Sequence, residues 1–392
     1  MRRVNGRILT GFAFVTTVLL AAMLPAGSQA APLTTLRVPT GGFSIGLPTS
    51  WVDATSAAPT VLQQLEKVPA FKAFAQSASQ NGALKLIAAD PSAGGSAYMD
   101  TGVARVGAVS LAAISAATVT ALRQTLGKKG KVTSAKIELP AGTAYHLHLA
   151  KRGSPSQTDE YLFLRDQVEY VLVYVATSST WKNYEPLFTA SAKSFRIVPG
   201  PDLSHVVLSA AQVGAGYKVT SFPFGNSIIG EPTLDLCGAS YASESLRTGR
   251  LQVRYTRPGK SVSVSNEVVT YAAGGAQQAL AEVESVATAC ARKPVVLTAG
   301  TATETFRLSP LDDPKLPAGS VAVKVRITVV NGKKQVTETG VAVYQINGDT
   351  LSGVYTFIGK GTTFVDAERI AFHAAEQSAR NLRADRGGGY SA

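Results

Sequence analysis

Two histidines alternate in the segment Tyr-His-Leu-His-Leu, at His146 and His148. Because successive side chains of a β-strand point to opposite faces, residues two apart lie on the same face. Two imidazoles placed in this way can supply nitrogen ligands to a metal, which needs one or two more ligands. Asp159 or Glu160, on the strand expected beside this one, could supply them. The alternative is a pair of exposed strand histidines without a ligand.

The first 30 residues have the pattern of a secretory signal peptide. Three arginines precede a continuous apolar run, and the small residues of Pro-Ala-Gly-Ser-Gln-Ala follow it. The pattern predicts cleavage between Ala30 and Ala31 and a mature protein that is secreted, periplasmic or held in the cell envelope. The alternative is an uncleaved membrane anchor, because the apolar run is at the lower end of the length that spans a bilayer.

The chain has two cysteines, Cys237 and Cys290. An even number of cysteines in an exported protein predicts a disulfide. The alternative is a pair of buried free thiols. A redox site is not expected, because the sequence has no Cys-x-x-Cys spacing, and no histidine pair is spaced to complete a structural zinc site.

The net charge of +12 is spread along the chain, with one local cluster in Gly-Lys-Lys-Gly-Lys. This cluster contains Lys128, Lys129 and Lys131. Cations suit the C-terminus of a helix, which explains the cluster without a ligand. The alternative is contact with an anionic membrane or wall polymer. Nucleic acid is not an expected partner of an exported protein with such diffuse charge.

No local motif predicts catalysis. The sequence has no Gly-x-Ser-x-Gly, His-Glu-x-x-His, phosphate-binding loop or dinucleotide fingerprint in a suitable context. No cofactor is therefore expected. The aromatic residues Trp181 and Tyr184 open a predicted helix, where they belong to the core or its rim or serve as platforms that stack on sugars.

The pattern of elements predicts an α+β protein of two domains, each a mainly antiparallel sheet packed with helices. Residues 31–199 read as ββαββαββββα and residues 200–384 as a second such domain, with a flexible tail at 385–392. The boundary is placed at Pro-Gly-Pro-Asp, because two prolines and a glycine suit a connector. The helices predicted in the first domain include one at 60–79.

The phrase Phe-Ser-Ile-Gly-Leu-Pro-Thr-Ser-Trp near the start of the first domain carries a resemblance. Together with Ser-Phe-Arg-Ile-Val after a helix that bears Trp and Tyr, it resembles the PsbP-like α/β/α sandwich. That family includes an extrinsic photosystem protein, a Ran-binding import factor and actinobacterial envelope lipoproteins of the LpqN type. In physical terms Trp51, just past Pro48, is expected to cap one end of the core while its indole N–H bonds to a carbonyl.

The second domain resembles, more loosely, the extracellular sensor domain of mycobacterial receptor kinases of the PknH type. The residues that carry this are Leu-Asp-Leu-Cys-Gly and the run from Val-Val-Thr-Tyr to Thr-Ala-Cys-Ala-Arg. Those sensors use two disulfides, whereas this chain can form one. The resemblance implies an exported domain with a cleft of ligand size, and signalling through a kinase is not expected.

These observations favour an exported envelope protein that binds a small apolar or cell-wall ligand, or a protein partner, without catalysis. Two other functions stay open. One is a structural or assembly factor of an envelope complex. The other is an exported hydrolase, because catalytic residues need not be close together in the sequence.

Overall fold

The computed structural model describes residues 32–55, 83–94, 96–259 and 262–385. The predicted signal peptide with its cleavage site at Ala30 and Ala31, the predicted helix at 60–79 and residues 386–392 of the predicted tail lie outside these ranges. The chain divides into two compact units, Met1–Pro199 and Gly200–Ala392. In the part that is described, no helix has the length and apolar character needed to cross a bilayer.

The predicted fold class is confirmed. The described residues form five α-helices and three antiparallel sheets, which is an α+β architecture. The strands of unit 1 are β1 (Leu33–Val38), β2 (Phe43–Pro48), β3 (Val52–Asp53), β4 (Leu84–Ala89), β5 (Ala97–Arg105), β6 (Gly130–Leu139), β7 (Gly142–Lys151), β8 (Ser156–Arg165), β9 (Val168–Thr177) and β10 (Arg196–Ile197). Its described helices are α1 (Leu111–Leu126) and α2 (Trp181–Ser194). The large sheet has the order β3-β4-β5-β9-β8-β7-β6, and a small sheet has the order β1-β2-β10.

Helix α1 covers one face of the large sheet of unit 1. It begins at Ser110, whose side chain accepts a hydrogen bond from the Ala113 N–H at 3.2 Å, as an N-cap should. It ends at Gly127, whose φ of 64° favours glycine. Its buried residues Val119 and Leu122 pack on a valine of β6 and leucines of β7 and β8 in one hydrophobic cluster. The apolar side of α1 is therefore the side that packs on the sheet.

Helix α2 covers the opposite face and also holds the small sheet. Phe188 is 1% exposed and packs on the Tyr174 ring of β9 at 5.1 Å. The buried Ser191 hydroxyl donates to the Gly46 carbonyl of β2 at 2.7 Å and accepts from the Tyr174 hydroxyl. The two sheets of unit 1 are therefore joined through one helix.

One detail predicted for Trp51 is wrong. The ring is 8% exposed and packs on Phe188 and Tyr184, so it does cap the core. Its Nε1, however, is buried and has no hydrogen-bond partner in the described structure. The aromatic side chains of α2 surround the indole ring, and the predicted carbonyl is not among the contacts of its N–H group.

The described residues of unit 2 form one sheet, in the order β11-β12-β13-β18-β17-β16-β15-β14. Its strands are β11 (Lys218–Ser221), β12 (Arg247–Thr256), β13 (Ser263–Tyr271), β14 (Val295–Ala299), β15 (Ala302–Leu311), β16 (Val321–Asn331), β17 (Lys334–Asn347) and β18 (Thr350–Phe357). Its helices are α3 (Ala210–Val213), α4 (Gly275–Arg292) and α5 (Phe364–Asp385). The two edge strands, β11 and β14, are short, with 4 and 5 residues, and every residue of β11 is exposed, so neither shows the alternation of buried and exposed residues that marks a strand in a sequence.

The sheet of unit 2 lies between α4 and α5. Helix α4 packs on the face that contains Phe306 and Val325, through Val283 and other buried residues. Helix α5 packs on the opposite face through small residues such as Ala371 and Ala375, which are fully buried. Alanines on the buried side of α5 allow its backbone to approach the sheet closely.

Candidate functional site

The histidine cluster of unit 1 is built by β7 and β8. The register pairs His148 with Asp159 and His146 with Tyr161, so the four side chains share one face of the sheet. Asp159 is 2% exposed, whereas the side chains of His146 and His148 keep 30% and 31% exposure. The arrangement places a buried carboxylate beneath two imidazoles that reach solvent.

One oxygen of Asp159 serves both histidines. Its Oδ1 lies 2.8 Å from Nδ1 of His148, in a hydrogen bond. The same oxygen lies 3.1 Å from Nε2 of His146, which is close enough for an ion pair. The geometry of this second contact is not that of a hydrogen bond, and Nε2 of His146 is buried without a hydrogen-bond partner. The His148 contact is a hydrogen bond, and the His146 contact is electrostatic.

The cluster stabilises a charged pair. The hydrogen bond to Asp159 raises the pKa of His148 although partial burial opposes this; Glu185 adds to the rise and Lys131 lowers it. Burial would raise the pKa of Asp159, but the two neighbouring histidines outweigh burial and lower it. His148 and Asp159 therefore favour an imidazolium and a carboxylate.

Aromatic rings fix the two imidazoles. The ring of His146 stacks on Tyr161 with 4.5 Å between centroids and an angle of 8° between planes. The ring of His148 meets the edge of Trp181 at 5.4 Å. Trp181 itself is 5% exposed and packs on Phe188, so it is a core residue and presents no open face to a sugar.

Tyr184, the second aromatic residue predicted at the start of this helix, is half-buried. Its hydroxyl donates to Oδ2 of Asp90 at 2.9 Å, and its ring lies beside that of Phe188. Tyr184 therefore links α2 to the loop after β4 and lies apart from the histidine cluster.

The metal site suggested as a possibility for His146 and His148 has no ligand set among the described residues. In the described ranges no group of three His, Cys, Asp or Glu residues is arranged to hold a metal ion. The two candidate carboxylates lie on opposite faces of β8, and only Asp159 is paired on the histidine side. The two imidazoles share Oδ1 of Asp159, which hydrogen-bonds to His148 and makes an electrostatic contact with His146.

The predicted lysine cluster is divided by the structure. Lys128 and Lys129 lie exposed in a single turn of 3-10 helix after α1, which agrees with the helix-end explanation. Lys131 is exposed in β6, and its charge acts on His148. Only one of the three lysines is therefore part of the surroundings of the histidine cluster.

Two buried carboxyl groups on the opposite face were missed by the sequence analysis. Asp100 of β5 and Glu160 of β8 are both paired with Val173 of the intervening β9. Burial, reinforced by Glu169, raises the pKa of Glu160 to about 7. Burial, reinforced by Glu160, raises the pKa of Asp100 well above its ordinary value. The available signal was weak: Asp100 and Glu160 each lie inside a predicted strand, beside apolar residues.

A cavity of about 480 Å³ opens at one end of the large sheet of unit 1, away from the histidine cluster. Its walls are mostly apolar, and the long side chains of Lys136 and Arg165 also line it. Its lining includes Leu111, Ala112, Lys136, Tyr145, Phe163 and Arg165. Phe163 is among the lining residues but is 1% exposed, whereas both cations are exposed.

The predicted disulfide between Cys237 and Cys290 is present in unit 2. It joins the short turn Leu236–Gly238 to the last turn of α4, and both cysteines are buried in the hydrophobic cluster under that helix. It closes a loop with a sequence separation of 53 residues. The cysteines are therefore structural and are not exposed to solvent.

No protein-family model and no curated protein matches this chain. Among solved structures it is similar to the cyanobacterial PsbP, CyanoP, from Synechocystis sp. PCC 6803, at 9% identity and a TM-score of 0.29, with coverage of 45% of this chain and 98% of that one. It is also similar to the extracellular domain of PknH from Mycobacterium tuberculosis, at 18% identity and a TM-score of 0.29, with coverage of 46% and 98%. Both resemblances predicted from the sequence are thus among the matches. At these TM-scores neither match assigns a function to the chain.

Proposed function

We propose that this chain is an exported envelope protein that binds an amphiphilic ligand without catalysis. The ligand would place an apolar body in the cavity of unit 1 and an anionic group beside Lys136 and Arg165. The observation that carries the proposal is the combination in one cavity of apolar walls and two exposed cations.

The volume and lining of the cavity suit a small ligand. Ligand sites commonly measure about 300–1,000 Å³ and have mostly apolar walls with a few polar groups that fix orientation. At about 480 Å³ this cavity is within that range. The half-buried Leu111 and Tyr145 supply apolar surface, and burial of an alkyl or ring system against them gains free energy in proportion to the area removed from water.

The charge at the cavity favours an acid over a neutral ligand. Lys136 and Arg165 are the charged residues of the lining. The nearest carboxylate to Arg165 is that of Asp166, whose Oδ2 lies 3.7 Å from Nε in a pair exposed to solvent. Such a pair contributes little to stability, so the guanidinium remains able to bind a carboxylate or phosphate.

Export is supported by the disulfide. A buried disulfide forms and persists in an oxidising compartment and is rare in the cytosol. Cys237 and Cys290 form such a bond. Together with the signal-peptide pattern of residues 1–30, this favours a location in the envelope or outside the cell.

Titration of the mature chain with cis-parinaric acid, a fluorescent fatty acid, tests the proposal. Wild type should bind the acid more tightly than its methyl ester, which lacks the charge. The Lys136→Ala/Arg165→Ala double variant should bind the acid about tenfold more weakly and the ester unchanged, since a charge-assisted hydrogen bond contributes about 1.5–3 kcal/mol. Ala112→Trp, which fills the mouth of the cavity, should weaken both ligands.

The matched control is Lys128→Ala/Lys129→Ala, which removes two exposed cations of the same unit away from the cavity. It should bind both ligands as wild type does. Absence of binding to wild type, or an equal loss in the control, would refute the proposed site.

A further inference from the structure

The register of β14–β17 in unit 2 defines the composition of each face of that part of the sheet. Arg307 of β15 pairs directly with Arg326 of β16, which pairs with Thr339 of β17. The next row, toward the β14–β15 and β16–β17 turns, contains Val296, Thr305, Thr328 and Thr337. Because paired residues share a face and alternate residues along a strand do so as well, these rows form one surface.

This surface, which we name the arginine–threonine face, consists of Arg307, Arg326, Thr305, Thr328, Thr337 and Thr339. Both arginines are exposed, and neither forms an ion pair with a described residue. The hydroxyls of Thr328 and Thr337 lie 3.2 Å apart at the surface. The face therefore presents two free guanidinium groups beside a row of hydroxyls.

The acidic residues of the same strands lie on the other side. Glu304 pairs with Val329, and Glu338 pairs with Ile327, which places both carboxylates on the face that packs on α4. Along β14–β17, whose backbone is described throughout, the register places no carboxylate on the arginine–threonine side. The separation of charge between the two faces follows from the two-residue period of each strand.

Helix α5 covers only one end of this side of the sheet. It packs on Ala322, Val341 and Val343. Lys324, one row before Arg326, is also engaged, because its Nζ lies 4.2 Å from the centre of the Phe364 ring. Beyond that row the sheet surface is open, and the exposed part begins at the two arginines.

Two like charges directly opposite each other on neighbouring strands repel. Strands lie about 4.8 Å apart, so the two guanidinium groups are near enough to hold one anionic group between them. Arginine presents a planar set of donors that matches the oxygens of phosphate or carboxylate in pairs. A bound anion would relieve the repulsion that the sheet otherwise tolerates between Arg307 and Arg326.

We propose that the arginine–threonine face binds a linear polyanion that carries phosphate groups, such as a phosphodiester polymer of the cell wall. The paired guanidiniums hold a phosphate, and the rows of threonine hydroxyls bond to the polar backbone of the polymer. A lipid bilayer is the less suitable partner, because Val296 is the one apolar side chain in these two rows, whereas insertion into a membrane would need several. This inference concerns unit 2 alone and does not depend on the cavity of unit 1.

The test uses the full mature chain and soluble polyphosphate, measured by isothermal titration at low ionic strength. The Arg307→Ala/Arg326→Ala variant should bind polyphosphate at least tenfold more weakly. Its affinity should also depend less steeply on salt, because fewer counterions are displaced from the polymer. The Arg307→Lys/Arg326→Lys variant keeps the charge without the paired donors, so its affinity should lie between those of wild type and the alanine variant.

The matched control is Arg292→Ala/Arg383→Ala, which lowers the net charge by the same amount at the ends of α4 and α5. It should bind as wild type does. The circular dichroism spectrum and melting temperature of each variant establish that the fold is intact.

Three results would overturn the inference. One is unchanged affinity in the Arg307→Ala/Arg326→Ala variant, and another is an equal loss in the control, which would show that net charge alone governs binding. The third is sedimentation of wild type with vesicles of phosphatidylglycerol and phosphatidylcholine in the absence of binding to polyphosphate, which would identify a membrane surface. The Lys136→Ala/Arg165→Ala variant should bind polyphosphate normally, so the two proposals can fail separately.

Discussion

Asp159 and Glu160 are consecutive residues of β8, and their carboxyl groups lie on opposite faces of the sheet with opposite shifts in pKa. Histidines on one face lower the pKa of Asp159. On the other face burial is the largest influence and raises the pKa of Glu160 to about 7. One step along a strand thus separates a stabilised carboxylate from a carboxyl group that favours its protonated form.

Replacement of Glu160 by glutamine should stabilise unit 1 at neutral and alkaline pH. Folding raises the pKa of this carboxyl group above its ordinary value of 4.5. Below pH 4.5 the group is protonated in the folded and the unfolded chain, so it does not lower the free energy of unfolding there. Between 4.5 and about 7 the unfolded chain releases the proton and the folded chain keeps it, so the free energy of unfolding falls as pH rises. Glutamine cannot ionise, so the gain over wild type should approach about 3 kcal/mol at pH 8, at about 1.4 kcal/mol per pKa unit.

Urea denaturation at pH 4.5 and pH 8 measures this difference. Glu138→Gln is the control, because Glu138 is an exposed carboxylate of the same unit. The Glu160→Gln and wild-type proteins should differ little at pH 4.5 and clearly at pH 8, and the control should show no such divergence. A glutamine variant that is equally or less stable than wild type at pH 8 would show that Glu160 is ionised in the fold at no cost.

The sequence was sufficient to place the histidines but not their partner. Alternation in Tyr-His-Leu-His-Leu predicts that His146 and His148 share a face, and the structure places them so. Asp159 and Glu160 were equally plausible partners, because the choice depends on the register between β7 and β8. The turn between β7 and β8 has none of the two-residue sequences that mark a hairpin, so the sequence does not determine this register.

The paired arginines show the same limit over a longer range. Arg307 and Arg326 lie on β15 and β16, and their direct opposition depends on how the loop between these strands closes. The disulfide needed no such information, because two cysteines in an exported chain have one pairing available. Prediction succeeded where the count or the strand period decides the answer and failed where register decides it.

The charged pair of His148 and Asp159 should stabilise unit 1 within a limited pH range. His148 has a raised pKa, so its contribution is complete below 6.5 and is lost as pH rises through the folded value. Asp159 has a lowered pKa, so its contribution is complete above 3.8 and is lost as pH falls through the folded value. The pair therefore contributes most between these two ordinary values. Asp159→Asn should cost about 1–3 kcal/mol at pH 5.5, as expected when a buried charged acceptor is removed.

Proton NMR titration of the imidazole signals gives the direct readout for this pair. In Asp159→Asn the pKa of His148 should fall relative to wild type, with the signal assigned by its loss in His148→Gln. Asp166→Asn is the control, since Asp166 lies in an exposed turn with a side chain that is 91% exposed. An unchanged His148 titration in Asp159→Asn would contradict the assignment of the hydrogen bond as the main cause of the shift.

Removal of the disulfide should destabilise unit 2 and leave unit 1 unaffected. In the loop-entropy model a cross-link that closes a loop of this length lowers the entropy of the unfolded chain and contributes about 4 kcal/mol. The double variant Cys237→Ser/Cys290→Ser should therefore unfold at a lower urea concentration when unit 2 is observed. The two tryptophans of the chain, Trp51 and Trp181, both belong to unit 1, so their fluorescence reports on that unit alone. We expect the tryptophan transition to keep its midpoint while the circular dichroism signal gains a transition at lower urea concentration. If the tryptophan midpoint shifted as far as the circular dichroism transition, the two units would unfold as one.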